Sequence, residues 1–82
     1  MTPAQCRAAR AFLQISQDEL AKAGSVSVST VRDFEVGKRE PIAATLTAMK
    51  AALEARGVLF VNGPEADGVL LNHGPSEKDA AH

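Results

Sequence analysis

A mainly helical fold, four short helices followed by a short C-terminal β-strand pair, is what this sequence predicts. Three observations carry the prediction. Two capping boxes, Thr2 to Gln5 and Ser16 to Glu19, and a third capping serine at Ser27 mark closely spaced helix starts. Gly24, Gly37 and Gly57 mark helix ends. Beyond Gly57 the period changes, and Val58-Leu59-Phe60-Val61 is β-branched and aromatic, apolar on both faces.

Each element follows from local chemistry. In the first helix Thr2 caps, Pro3 suits the first helical position and Gln5 completes the box. Cys6, Ala9 and Leu13 form one stripe with Phe12 beside it, and the helix runs to about Leu13. Gln14-Ile15 links it to the second helix, which Ser16 caps and whose inward residues are Leu20 and Ala21. In the third helix Val31 and Phe34 point inward, leaving Val28, Ser29, Arg32 and Asp33 outside. Gly37 ends it by a left-handed residue. Lys38-Arg39-Glu40-Pro41 is a loop. The fourth helix reads to about Arg56, with Ile42, Leu46, Met49 and Leu53 as its stripe. The strands read as 58–61 and 69–71, joined by a turn-rich segment, and 72–82 is expected to be a flexible tail.

Length and composition narrow the function. The 82 residues allow one domain, and a domain this small often gains stability by dimerising. The single cysteine, Cys6, excludes an internal disulfide and a cysteine-based zinc site. It falls on the core stripe and reads as a small hydrophobe rather than a redox switch. No apolar run is long enough to span a membrane and no secretory start is visible. His73 and His82 lack ligand spacing, so neither metal nor cofactor is expected. No Ser/His/Asp set, paired carboxylates or phosphate-cradling loop appears, which argues against an enzyme.

The net charge is −1, which alone argues weakly against nucleic acid as a partner. The average hides an asymmetry. Residues 1–56 carry eight Lys/Arg against six acids, a balance of +2, whereas 57–82 carry one lysine against four acids, a balance of −3. Any anion-binding surface therefore lies in the first two thirds.

The three or four residues around Gly24-Ser25-Val26 match the spacing of a helix-turn-helix. With Ser16-Gln17, Leu20-Ala21, Val26-Ser27, Ser29-Thr30-Val31, Glu35, Gly37 and Pro41 in register, residues 3–56 resemble the small Cro/repressor-type (XRE-like) helix-turn-helix regulators of bacteria and mobile elements. The resemblance implies a lambda-repressor-like DNA-binding domain over 1–57. Its recognition helix, Ser27 to Val36, would lie in the DNA major groove. It implies base or phosphate contacts for Val28, Ser29, Arg32 and Asp33. Gln17 would contact the DNA backbone and brace the recognition helix, and Lys38 and Arg39 would reach flanking phosphates. Arg10 and Glu35 match positions that form an internal salt bridge. One place departs from the pattern: Ser25 stands where glycine is usual, behind Gly24. A left-handed serine costs roughly 1 kcal/mol, so Gly24 is expected to take up the bend, or the second helix to end a residue early.

The chemistry is sensible without the family. Helix starts at Ser16-Gln17 and at Ser27 present amide groups suited to phosphate. Arg32 suits guanine, the Val28 methyls suit a thymine methyl, and Ser29 and Thr30 donate or accept with little discrimination. Asp33 would repel phosphate unless it reads a cytosine amine, orients Arg32 or stands clear. Blander readings exist beside these: helix-start chemistry for the serines, a solvated pair for Arg32 and Asp33, plain loop charges for Lys38 and Arg39.

A strand apolar on both faces needs cover on both. Val58, Leu59, Phe60, Val61, Val69, Leu70 and Leu71 are therefore expected to build a homodimer, by strand pairing across a two-fold axis, with a hairpin folding back on its own helices as the other outcome. Two recognition helices about 34 Å apart would then fit the half-sites of an inverted-repeat operator in double-stranded DNA. The expected function is a dimeric repressor in the bacterial cytoplasm, at the nucleoid. Activation by promoter position or by contact with RNA polymerase is compatible with the same module. The reading from another class is an antitoxin or anti-activator whose strand segment binds a protein partner.

Overall fold

The structure is a computed structural model that describes residues 1–72. Its elements follow in the order α1 (Pro3–Leu13), α2 (Gln17–Gly24), α3 (Val28–Glu35), α4 (Ala43–Glu54), β1 (Val58–Asn62) and β2 (Asp67–Leu71). The expected tail, apart from Asn72, and both histidines lie outside the described residues.

The helix starts are chemical. Thr2 accepts from the Gln5 N–H while Gln5 accepts from the Thr2 N–H, and Ser16 and Glu19 repeat the exchange on α2. Ser27 caps α3 through the Thr30 N–H. Each cap is worth about 1 kcal/mol. The first three helices also end alike. A left-handed residue, Gln14 (φ 56°), Ser25 (φ 56°) or Gly37 (φ 76°), turns the chain. The next N–H then reaches back five residues: Ile15 to Arg10, Val26 to Ala21, Lys38 to Asp33. This pairing satisfies the last carbonyls of each helix. At the α2 end neither expectation holds: Ser25 itself is left-handed, and α2 runs its full length through Gly24.

The core draws on every helix. Cys6 and Ala9 of α1, Leu20 and Ala21 of α2, Val31 and Phe34 of α3, and Met49 and Leu53 of α4 are buried together with Val58 of β1. Burying each large apolar side chain of this cluster contributes about 1.5–3 kcal/mol. Leu46 packs at the edge of this core. Ile42 does not. It is the residue before α4, extended at ψ 156°, and 74% exposed, which corrects its place on the core stripe. The helix also closes at Glu54 rather than near Arg56.

The strands are longer than their apolar runs. They pair antiparallel within the chain, Val58 with Leu71 through Asn62 with Asp67, so strand pairing across a two-fold axis is not what forms this sheet. The Gly63 N–H donates to the Ala66 carbonyl to close the turn. Alternation sorts the side chains. Val58, Phe60, Val69 and Leu71 face the helices, whereas Leu59, Val61 and Leu70 face outward and are 48%, 46% and 56% exposed. One helical layer thus covers one face. At the base, Gly57 has φ 100° and lies against the Asn72 carbonyl. At the tip, the Gln5 amide, 3% exposed, donates to the carbonyls of Val61 and Gly68 and accepts from Asn62. The hairpin is pinned to α1 at that point.

Candidate nucleic-acid interface

The eight residues of α3 divide by face. Val31, Phe34 and Glu35 are buried; Val28, Ser29 and Arg32 are exposed, with Thr30 and Asp33 half-buried between them. Ser27 before the helix, and Lys38 and Arg39 after it, are exposed as well. The Lys38 and Arg39 N–H groups both donate to the Asp33 carbonyl, so the backbone of both cations is anchored to the end of α3.

Glu35 holds this helix in place. It is 1% exposed, yet its carboxylate receives four donors. Arg10 forks onto it, Nε to Oε2 at 2.6 Å and Nη2 to Oε1 at 2.7 Å. The Gln17 amide adds Oε1 at 3.0 Å and the Cys6 thiol adds Oε2 at 3.2 Å. Desolvation opposes the charge, but the hydrogen bonds from Arg10, Gln17 and Cys6 outweigh it and hold the carboxyl below the usual glutamate range. The bond to Glu35 raises the Arg10 guanidinium against its own desolvation. Burial, then the bond to Glu35, pushes the Cys6 thiol up to about 12. One carboxylate therefore ties α1 and α2 to the C-terminal end of α3. Bonds of this charge-assisted, bidentate kind fix orientation as well as distance.

Sequence reasoning missed three parts of this arrangement. Arg7 donates through Nη1 to the Glu35 carbonyl; its spacing of three from Arg10, which puts both on one side of α1, is the signal that could have found it. The thiol bond of Cys6 leaves no local trace. Pro41, Ile42 and Thr45 line a depression together with Ser29, Thr30, Asp33 and Arg39, so the loop after α3 and the start of α4 border the exposed face.

The two helix starts differ electrostatically. Asp18 and Glu19 occupy the first turn of α2 and already neutralise its dipole end, whereas α3 has no acid in its first turn. Ser16, exposed, and Gln17, half-buried, thus stand at an end less receptive to phosphate than Ser27 does. The hydroxyls at α3 are preorganised: Ser27 Oγ lies 2.7 Å from Thr30 Oγ1 and 3.2 Å from Ser29 Oγ. Each still has capacity for a further partner.

The seven strand residues expected at an interface divide between the covered and uncovered faces of the hairpin, away from α3. Among the described residues no three His, Cys, Asp or Glu gather to hold a metal, and no helix is long and apolar enough to cross a membrane.

A family model of helix-turn-helix domains matches residues 7–57. The match ends at the residue before β1, so the hairpin lies beyond it. No curated protein matches the chain.

Proposed function

Because this chain belongs to the helix-turn-helix family of DNA-binding regulatory domains, we propose that it is a sequence-specific repressor. It binds an inverted-repeat operator as a dimer at the bacterial nucleoid. In this reading residues 1–57 bind DNA and 58–71 assemble the dimer. Val28, Ser29 and Arg32 meet base edges, with Arg32 on guanine. Thr30 and Asp33 stand at the margin of that face. Ser16, Gln17 and Ser27 approach phosphates through their helix starts, and Lys38 and Arg39 take the flanking phosphates.

The observation that carries the reading is the division of α3. Its buried side is clamped through Glu35 by Arg10 and Gln17, while its other side presents Arg32 with Lys38 and Arg39 following. A rigid element with free polar groups is what base readout needs. Few cations per subunit make one copy a weak binder, so useful affinity requires two.

The experiment is a titration of the chain on the DNA upstream of its own gene. Arg32→Ala should cost about 1–3 kcal/mol on the operator with folding intact, and loss of Lys38 or Arg39 should reduce the salt slope by about one. Tight operator binding unaffected by Arg32→Ala and Ser29→Ala together would overturn the assignment of the reading face.

A second reading is favoured by one observation, the uncovered apolar face of the hairpin. An antitoxin or anti-activator would use it to hold a protein partner. A chain that sediments as a monomer and binds no operator would favour that role.

A further inference from the structure

The outer face of the hairpin is apolar, and a largely apolar groove lies beside it. Register puts Leu59 beside Leu70 and Val61 beside Gly68 on that face. Three apolar side chains stand out from it, and Gly68 leaves a gap where a fourth would be. At that gap begins a groove of about 300 Å³ between α1 and β2, lined by Ala4, Ala8, Phe12, Gly68 and Val69 and by the polar Thr2, Gln5 and Asp67. Phe12 is 50% exposed, beside small residues. One chain therefore offers an apolar ridge and a largely apolar trough side by side.

We propose that a second copy of this chain seats the outer face of its hairpin in this groove, and receives the first copy's hairpin in its own. This rests on the dimeric reading above and specifies its interface. A two-fold axis requires such reciprocity, since each surface must meet the other's counterpart. Pairing at a strand edge would satisfy backbone groups but leave Leu59, Val61 and Leu70 as exposed as before; face packing covers them. Charge agrees. Exposed Arg56 stands at the base of the hairpin and exposed Glu65 at its tip. With two hairpins running in opposite directions, each arginine meets the other copy's acidic tip.

Sedimentation equilibrium of the full chain and of two variants tests the proposal. Phe12 and Leu70 are exposed, so Phe12→Asp and Leu70→Asp should keep the helical circular-dichroism signal. Each should weaken the dimer at least about tenfold. Arg56→Glu should weaken it, and adding Glu65→Arg should restore it. A mixture of Phe12→Cys chains with Leu70→Cys chains should cross-link on mild oxidation, since native Cys6 is buried. A dimer lost in Leu70→Asp but intact in Phe12→Asp, without that cross-link, overturns the groove and leaves the dimeric reading standing. A wild-type chain that stays monomeric at concentrations saturating the operator overturns the dimeric reading itself.

Discussion

Ser25, not Gly24, carries the bend between α2 and α3. Ser25 is left-handed at φ 56°, while Gly24 stays helical and lies against the backbone of Ala48 and Met49. The residue free to bend is next to the one that does, and the helix keeps its last position at the expense of a strained serine.

Ser25→Gly should therefore stabilise the domain by roughly 1 kcal/mol, raising the melting temperature by about 4–8 °C for a domain this size. Gly24→Ala should be tolerated, because an added Cβ would sit 3.5 Å from its nearest neighbours, an ordinary contact. Thermal melts of the two variants check both statements. A fall in Ser25→Gly would mean that its hydroxyl does something the left-handed geometry does not explain.

Glu35→Ala should be the most damaging change on α3. It leaves Arg10, Gln17 and Cys6 without their acceptor, and breaking a buried pair costs about 3–5 kcal/mol, comparable with the whole stability of a small domain. The pH dependence has a definite sign. A carboxyl held below its ordinary value stabilises the fold above that value, about 4.3. It loses the contribution as pH falls toward the lowered native one. The melting-temperature gap between wild type and Glu35→Gln should accordingly narrow on acidification from pH 5 downward, and a constant gap would contradict the ionised role.

Cys6 predicts the opposite limb. Its thiol is raised to about 12, so its contribution is complete below the ordinary thiol value of about 8.5 and declines as pH climbs past it toward 12. Cys6→Ala should remove that part of the alkaline loss, read as a flatter melting profile above pH 8.5. At neutral pH a thiol reagent should label the native chain only at the rate of unfolding; rapid labelling of the folded chain would argue against this environment.

Gly57 and Gly37 share a left-handed backbone but differ in surroundings. An alanine Cβ at Gly57 would fall 2.7 Å from the Asn72 carbonyl oxygen, whereas at Gly37 it would meet nothing within 4 Å. Gly37→Ala should cost about the left-handed penalty alone, roughly 1–2 kcal/mol. Gly57→Ala should cost clearly more and detach the base of the hairpin, visible as accelerated amide exchange in β2.

What the sequence discloses is what is local. A capping serine and its glutamate three residues on, as at Ser16 and Glu19, can be read without knowing the rest of the chain. So can the switch of period at Val58. Ile42 misleads because it stands four before Leu46 and mimics a helical stripe, while Pro41 and its own extended backbone leave it outside the helix. The Ser25 bend misleads because the nearer glycine is the obvious donor of flexibility. The four donors on Glu35 come from two other helices, so their convergence depends on how those helices pack. Of them, the family resemblance supplies the Arg10 pairing and a bracing role for Gln17, without its partner; it is silent on Cys6. The covered and uncovered faces of the hairpin follow from alternation once the register is known, and the register depends on a turn whose strands outrun their apolar residues.

Gln5 has a temporal consequence. Its amide bonds to carbonyls 56 and 63 residues further along the chain. Helices form from near neighbours, but this contact closes a loop of most of the described chain, and such contacts form late. During synthesis α1 emerges first and its buried amide waits for the last strand. The helices then gain their final anchorage only when the hairpin arrives, and a nascent chain arrested before Val58 should remain open to proteolysis at α1.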